Sequence, residues 1–163
     1  MRAVGSGKLG ECNAVIRRAT IDDLDRLLPL VRGYREFYQQ PHDARGEREF
    51  MDRHLAAGTS IVFLALDDAG NAVGFTQLFE TFSTVHLSST LILEDLFVLP
   101  GARTTGIASA LLETAVAHAR ESGASGMFLE TAMDNTTAQR VYERNGWARE
   151  ARFYKYNASL RRD

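Results

Sequence analysis

At 163 residues, 45% hydrophobic and 25% charged, the chain has the size and composition of one globular domain able to bury a core. Its formal net charge of -2 argues against any general electrostatic attraction to nucleic acid or to an anionic membrane. No apolar run approaches the length of a membrane span, and the single cysteine, Cys12, cannot form an internal disulfide, which fits a reduced, cytoplasmic setting.

Residues 1–13 contain Gly5, Gly7 and Gly10 and no hydrophobic stretch, so a flexible leader is expected rather than a secretory signal. Residues 14–163 read as one domain. Residues 14–19 alternate weakly, as a first strand does. Thr20 followed by Asp22 and Asp23 opens a helix at its favourable negative end. That helix carries Leu24, Leu27, Leu28, Val31, Tyr34 and Tyr38 at three- and four-residue spacing, with Pro29 expected to bend or split it. Residues 44–57 form a second, more polar helix closed by Gly58. Residues 60–67 read as a buried strand, 68–71 as a hairpin turn, and 72–82 as the antiparallel return.

A polar stretch then leads into a central strand over 90–98. Pro100-Gly101 breaks it, and a short loop from Arg103 to Ala108 delivers the chain into a helix running to about Ser122. Residues 126–132 give another strand and 135–144 a short helix stopped by Asn145-Gly146. Residues 147–150 and 153–158 are expected to be two last strands. The result is a mixed α/β (α+β) domain, with a mostly antiparallel central sheet flanked by helices and one right-handed parallel crossover around 91–132.

The loop from Arg103 to Ala108 carries the chemistry. A helix start leaves several backbone N–H groups without partners at the positive end of the helix dipole, which is a ready phosphate site. It is not a Walker loop, because Gly106 is followed by Ile-Ala rather than Lys-Ser or Lys-Thr. Nor does it have the three-glycine spacing of a dinucleotide fingerprint. With no lysine or acidic metal partner in it, the loop suits a metal-free pyrophosphate.

Val98-x-Pro100-x-x-Arg103-x-x-Gly106-Ile107-Ala108 resembles the Arg/Gln-x-x-Gly-x-Gly/Ala signature of the GNAT N-acetyltransferase superfamily. Asn135-x-x-Ala138-x-x-x-Tyr142-x-x-x-Gly146-Trp147 is similar to that family's second half, in the expected order and separation. Leu93 to Val98 and the aromatic cluster near Tyr34 also look like the spermidine/spermine (diamine) acetyltransferase branch. The resemblance implies acetyl-CoA as cosubstrate, no metal, and a homodimer. It implies main-chain pairing of the pantetheine arm by Leu96, Phe97 and Val98. The amides of Thr104, Thr105, Gly106, Ile107, Ala108 and Ser109 would cradle the phosphates, with Arg103 close by and Asn135 on the cofactor arm.

Acetyl transfer to an amine must remove a proton from the amine. An amine of pKa ~10.4 is neutral in about one molecule in 2,500 at pH 7, a penalty of roughly 4.6 kcal/mol. The departing thiolate leaves more easily if protonated, and a tyrosine can donate that proton. By its place in the second motif Tyr142 is the expected acid. Glu94 is the expected base, proton relay or amine-binding carboxylate, because Glu94-Asp95 interrupts an apolar strand. Neighbouring strand residues point to opposite faces unless a bulge intervenes, so Asp95 is expected to make a structural hydrogen bond or salt bridge instead. Cys12 stands far from both motifs, and direct attack in a ternary complex needs no covalent intermediate.

Tyr34, Phe37 and Tyr38, with His86, are expected to wall the acceptor pocket. His42, His54 and His118 lack metal-ligand spacing and read as surface residues. The leading expectation is an N-acetyltransferase acting on a primary amine of a small molecule: a polyamine, diamine or lysine-like amino acid. The alternatives are acetylation of a protein lysine or N-terminus, or a non-catalytic acyl-CoA-binding module.

Overall fold

A computed structural model describes residues 14–160, and the expected leader and Cys12 lie outside them. The described residues form two compact units that divide between Glu130 and Thr131. The first holds β1 (Val15–Arg18), α1 (Leu24–Phe37), α2 (Ala44–Ala56), β2 (Ile61–Leu66), β3 (Ala72–Ser83), β4 (Ser88–Val98), α3 (Ile107–Glu121) and β5 (Met127–Leu129). The second holds α4 (Thr136–Arg144).

The five strands lie in sequence order, antiparallel from β1 to β4, and β5 joins β4 in parallel after the α3 crossover. Strand alternation divides the apolar side chains between two faces. Val62, Leu64, Phe75 and Phe97 pack with Leu24, Leu27, Leu28 and Leu30 of α1 and Met51 of α2. On the other face Phe63 meets the ring of His118 on α3, and Leu111, Leu112 and Ala115 of that helix are fully buried. His118 is therefore half-buried against the sheet, where it was expected on the surface. Burial and the charge of Arg18 lower its pKa.

Pro29 does not split α1, which runs as helix without a break through Phe37. A proline inside a helix removes one hydrogen bond and crowds the preceding turn. Here Leu27, Leu28 and Leu30 beside it are all buried, and their packing outweighs that local penalty. Gly33 explains how closely α1 approaches β4: a Cβ at that position would stand 2.9 Å from the Phe97 ring. Glu47, on α2, is buried between Arg35 at 3.2 Å, Arg32 at 3.6 Å and His42 at 3.6 Å, and so ties the two helices together.

The start of α1 is anchored by Asp23. Its carboxylate accepts from Arg17 at 2.6 and 2.8 Å and from the Thr20 backbone N–H at 2.9 Å. The Arg17 hydrogen bonds, above all, hold its pKa down at about 2.

The two last strands expected over 147–150 and 153–158 are not formed among the described residues. A strand exists through its ladder, and these segments make none. Phe153, Tyr154 and Tyr156 are 75–91% exposed, so the second of these segments presents no buried aromatic face.

Candidate active site

Strand β4 is long enough to serve two neighbours but has both along only part of its length. Its pairing with β3 runs from Ser88 to Val98, whereas its parallel pairing with β5 ends at Leu93 opposite Leu129. Antiparallel partners alternate between hydrogen-bonded and non-hydrogen-bonded pairs. The Leu99 N–H donates to Val73 O at 2.9 Å, so Phe97 opposite Phe75 is also a bonded pair. Leu96 and Val98 therefore turn their main-chain groups away from β3, towards the open edge. Phe97, expected to offer main-chain groups to a ligand, directs them into the ladder instead. The Val98 carbonyl accepts from Arg103 Nε at 3.0 Å, which leaves the Leu96 N–H, the Leu96 carbonyl and the Val98 N–H along the edge.

The loop after β4 begins with a single turn over Pro100–Ala102. Arg103 folds back over the Phe97 ring, 5.9 Å from its centroid, and so supports the strand end. The hydroxyls of Thr104 and Thr105 donate to carbonyls upstream, those of Arg103 and Ala102. Thr104 and Gly106 both have positive φ, +68° and +82°, a region glycine tolerates and threonine rarely adopts. Gly106 is the N-cap of α3 and has no side chain to satisfy the first N–H groups of that helix. The first intrahelical bond runs from the Ala110 N–H to Gly106 O. A helix start left uncapped beside an open strand edge suits a diphosphate followed by an extended, amide-bearing arm.

Glu94 and Asp95 sit where the β3–β4 register slips. Gln77 faces Asp95 and Leu78 faces Leu93, so Glu94 is the extra residue of a bulge. A bulge re-aims side chains, and here it lets two adjacent carboxylates act on one another. Glu94 is exposed and Asp95 half-buried. Burial, and next the charge of Glu94, push the Asp95 pKa up to about 6, against hydrogen bonds from Tyr34 and Gln77 that lower it. Asp95 does accept a structural hydrogen bond, from Gln77 Nε2 at 2.6 Å, as expected. The sequence did not indicate that it would also be the carboxylate whose proton affinity is raised.

Tyr34 links this pair to the aromatic cluster. Its hydroxyl has one proton to share between the Glu94 carbonyl, at 3.4 Å, and the Asp95 carboxylate, and its ring meets Tyr38, Phe75 and Phe97 edge-on at 5.1, 6.1 and 6.2 Å. Burial, followed by the nearby Asp95 carboxylate, raises the Tyr34 pKa far above the ordinary phenol range, so the hydroxyl stays a donor. Phe37 stacks edge-on against Tyr38 and, with Gly33, Phe97, Leu99 and Arg103, lines a cleft of about 480 Å³. His86 lies in the turn joining β3 to β4, and Ser88 is already roughly 20 Å up the strand from Glu94 at the rise of extended chain. It is not part of the Tyr34 cluster.

In the second unit Asn135 caps α4, its Oδ1 accepting from the Ala138 N–H at 3.2 Å. Tyr142 is half-buried on that helix, and its ring lies 6.4 Å from Trp147. Gly146 ends the helix with φ of +82°, and the Trp147 N–H donates to Tyr142 O at 3.1 Å. Among the described residues no group of three His, Cys, Asp or Glu side chains could hold a metal ion. Among them, too, no helix is long and apolar enough to cross a membrane.

Residues 27–147 match the acetyltransferase (GNAT) family. The chain is 39% identical over 141 residues to YhfO, an uncharacterized N-acetyltransferase of Bacillus subtilis, covering 86% of this chain and 94% of that one. It is 30% identical over 118 residues to aminoglycoside N(6')-acetyltransferase type 1 of Salmonella typhimurium, covering 71% and 77% of the two chains. The crystal structure of a probable acetyltransferase superposes with a TM-score of 0.87 at 36% identity, covering 91% of this chain and 99% of the other. The open edge, the uncapped helix start and these likenesses agree: the chain belongs to the GNAT acetyltransferase family and is an acetyl-CoA-dependent N-acetyltransferase.

Proposed function

We propose that this enzyme acetylates a primary amine of a small cationic molecule, a polyamine, a diamine or a lysine-like amino acid, by direct attack in a ternary complex. The observation that carries this reading is the bulge at Glu94, which sets two carboxylates beside the aromatic side chains of α1 and next to the open edge of β4. Carboxylates draw in an ammonium group, and aromatic faces receive its charge and its alkyl chain. The aminoglycoside-acetylating relative is consistent with this, since an aminoglycoside is itself a polyamine.

Acetyl-CoA supplies a thioester whose carbonyl carbon accepts the amine lone pair. Amides from Thr104 to Ser109 hold its diphosphate, and Leu96 and Val98 pair with its arm. Glu94 receives the cationic amine. Tyr142, placed by its motif, protonates the leaving sulfur, and Asn135 shapes the helix that bears it.

A thiol-release assay with acetyl-CoA tests this, run over polyamines, diamines, lysine analogues, amino acids, aminoglycosides and lysine-containing peptides. Turnover on free amines is expected. Activity confined to peptides would reject the small-molecule reading in favour of protein acetylation.

A further inference from the structure

Ser60 and Gln77 are polar residues buried at 4% and 3% exposure in a largely apolar sheet. Gln77 follows Phe75 by two residues, so it shares the α1 side of β3. Ser60 Oγ donates to Gln77 Oε1 at 2.7 Å, and Gln77 Nε2 donates to Asp95 Oδ2 at 2.6 Å. The ionised carboxylate can only accept, so it takes the amide nitrogen and turns the amide oxygen towards Ser60, whose hydroxyl supplies the donor that oxygen needs. The Asp95 backbone is fixed as well: its carbonyl accepts from Thr76 Oγ1 at 2.8 Å. A buried polar chain in an apolar layer is destabilising unless every group is matched. This one ends on a half-buried carboxylate beside a proposed substrate site. Among the described residues, the groups acting on that carboxylate are Glu94 from its own strand, Tyr34 from α1 and Gln77 from β3, none of them cationic. Tyr38, which caps the end of α1, acts on Tyr34.

We propose that Asp95, held by Gln77 and through it by Ser60, takes the proton from the acceptor ammonium, while the exposed Glu94 draws that cation in from solvent. This assignment rests on the amine-acetylation reading above. An N–H bond of the ammonium breaks and an O–H bond forms on Asp95. The freed lone pair makes the C–N bond as the C–S bond of the thioester breaks. The second proton shed by nitrogen balances the one taken up by the thiolate, and Asp95 returns its own to water. A carboxylate titrating near pH 6 is ionised at neutral pH yet holds a proton better than an ordinary one, which suits a general base. Gln77 and Ser60 are positioning residues.

The test combines pH profiles of kcat/KM with a ¹³C NMR titration of the Asp95 carboxyl. Asp95→Asn is expected to lower kcat at least a hundredfold, with melting temperature and calorimetric acetyl-CoA binding confirming a folded protein. Glu94→Gln should chiefly raise KM. Gln77→Leu keeps the volume but removes the donor to the carboxylate. It should move both the acidic limb of the profile and the Asp95 titration midpoint upward by half a unit or more. An Asp95→Asn variant within threefold of the unaltered enzyme would overturn the assignment while leaving amine acetylation standing. So would an Asp95 midpoint that stays put in Gln77→Leu. If the unaltered enzyme bound acetyl-CoA but released no thiol with any amine, the function reading and this assignment would fall together.

Discussion

Tyr142 and Asp95 differ in how their roles are encoded. Tyr142 is placed by a motif, since its position in Asn135-x-x-Ala138-x-x-x-Tyr142 singles it out in the sequence itself. If it donates the proton to the leaving sulfur, Tyr142→Phe should reduce kcat by ~10²-fold or more, the usual range for general-acid catalysis. Acetyl-CoA affinity measured by calorimetry should hardly change, and a fully active variant would remove Tyr142 from the chemistry. Asp95 could not be read this way. Its neighbour Glu94 is also acidic, and which of them points where depends on a bulge defined by the pairing of Gln77 and Leu78 on another strand. The buried Ser60–Gln77 chain left one trace in the sequence: a serine at the head of the apolar run Ser-Ile-Val-Phe and a polar Thr-Gln pair inside Phe-Thr-Gln-Leu-Phe. That trace gives no partner, because Ser60 and Asp95 are brought together only by the sheet.

Among the elements, those bound by local rules were legible. Weak alternation marked β1, apolar runs bounded by turn residues marked β2 to β4, three- and four-residue spacing marked α1, and Gly58 and Gly146 marked where helices end. What failed was the expectation of strands after Trp147, since an alternating segment becomes a strand only where another strand accepts its hydrogen bonds. The open edge of β4 was likewise invisible, being set by where β5 stops. It yields a contrast between two adjacent residues. Leu96→Pro removes an N–H that faces the edge, and should fold while weakening acetyl-CoA binding by about tenfold, one hydrogen bond's worth. Phe97→Pro removes an N–H inside the ladder and should lower stability by about 3 kcal/mol in denaturant titration. Equal effects on binding and stability in both variants would contradict the alternation of main-chain groups along β4.

For the whole molecule, folding couples two carboxylates to pH with opposite signs. Asp23 has a folded pKa of about 2, below its ordinary value of 3.8, so its contribution is complete above about pH 4. That contribution is lost as the pH falls towards 2. Asp95 has a folded pKa of about 6, above the same ordinary value, so the folded state binds its proton more tightly. Its effect is to make stability fall as the pH rises from about 4 to above 6. His118, with its lowered pKa, acts against this in the same window, because the unfolded chain takes up its proton more readily. The difference between the unaltered protein and Asp95→Asn isolates the aspartate. Below pH 4 the two should depend on pH alike. Between pH 4 and 7 the unaltered protein should lose stability relative to the variant, by about 1–2 kcal/mol after allowance for partial exposure. Melting temperatures across that range would show it, and parallel curves would refute it.

Function at this scale depends on whether the loop joining β4 to α3 holds the diphosphate. A ¹H–¹⁵N NMR titration of the full chain with coenzyme A addresses that residue by residue. The amides of Thr104 to Ser109 should move most, with those of Leu96 and Val98 moving alongside them and that of Phe97 staying within its ladder. If coenzyme A bound while those loop amides stayed still, or produced no shifts anywhere at millimolar concentration, the proposed cradle would be contradicted.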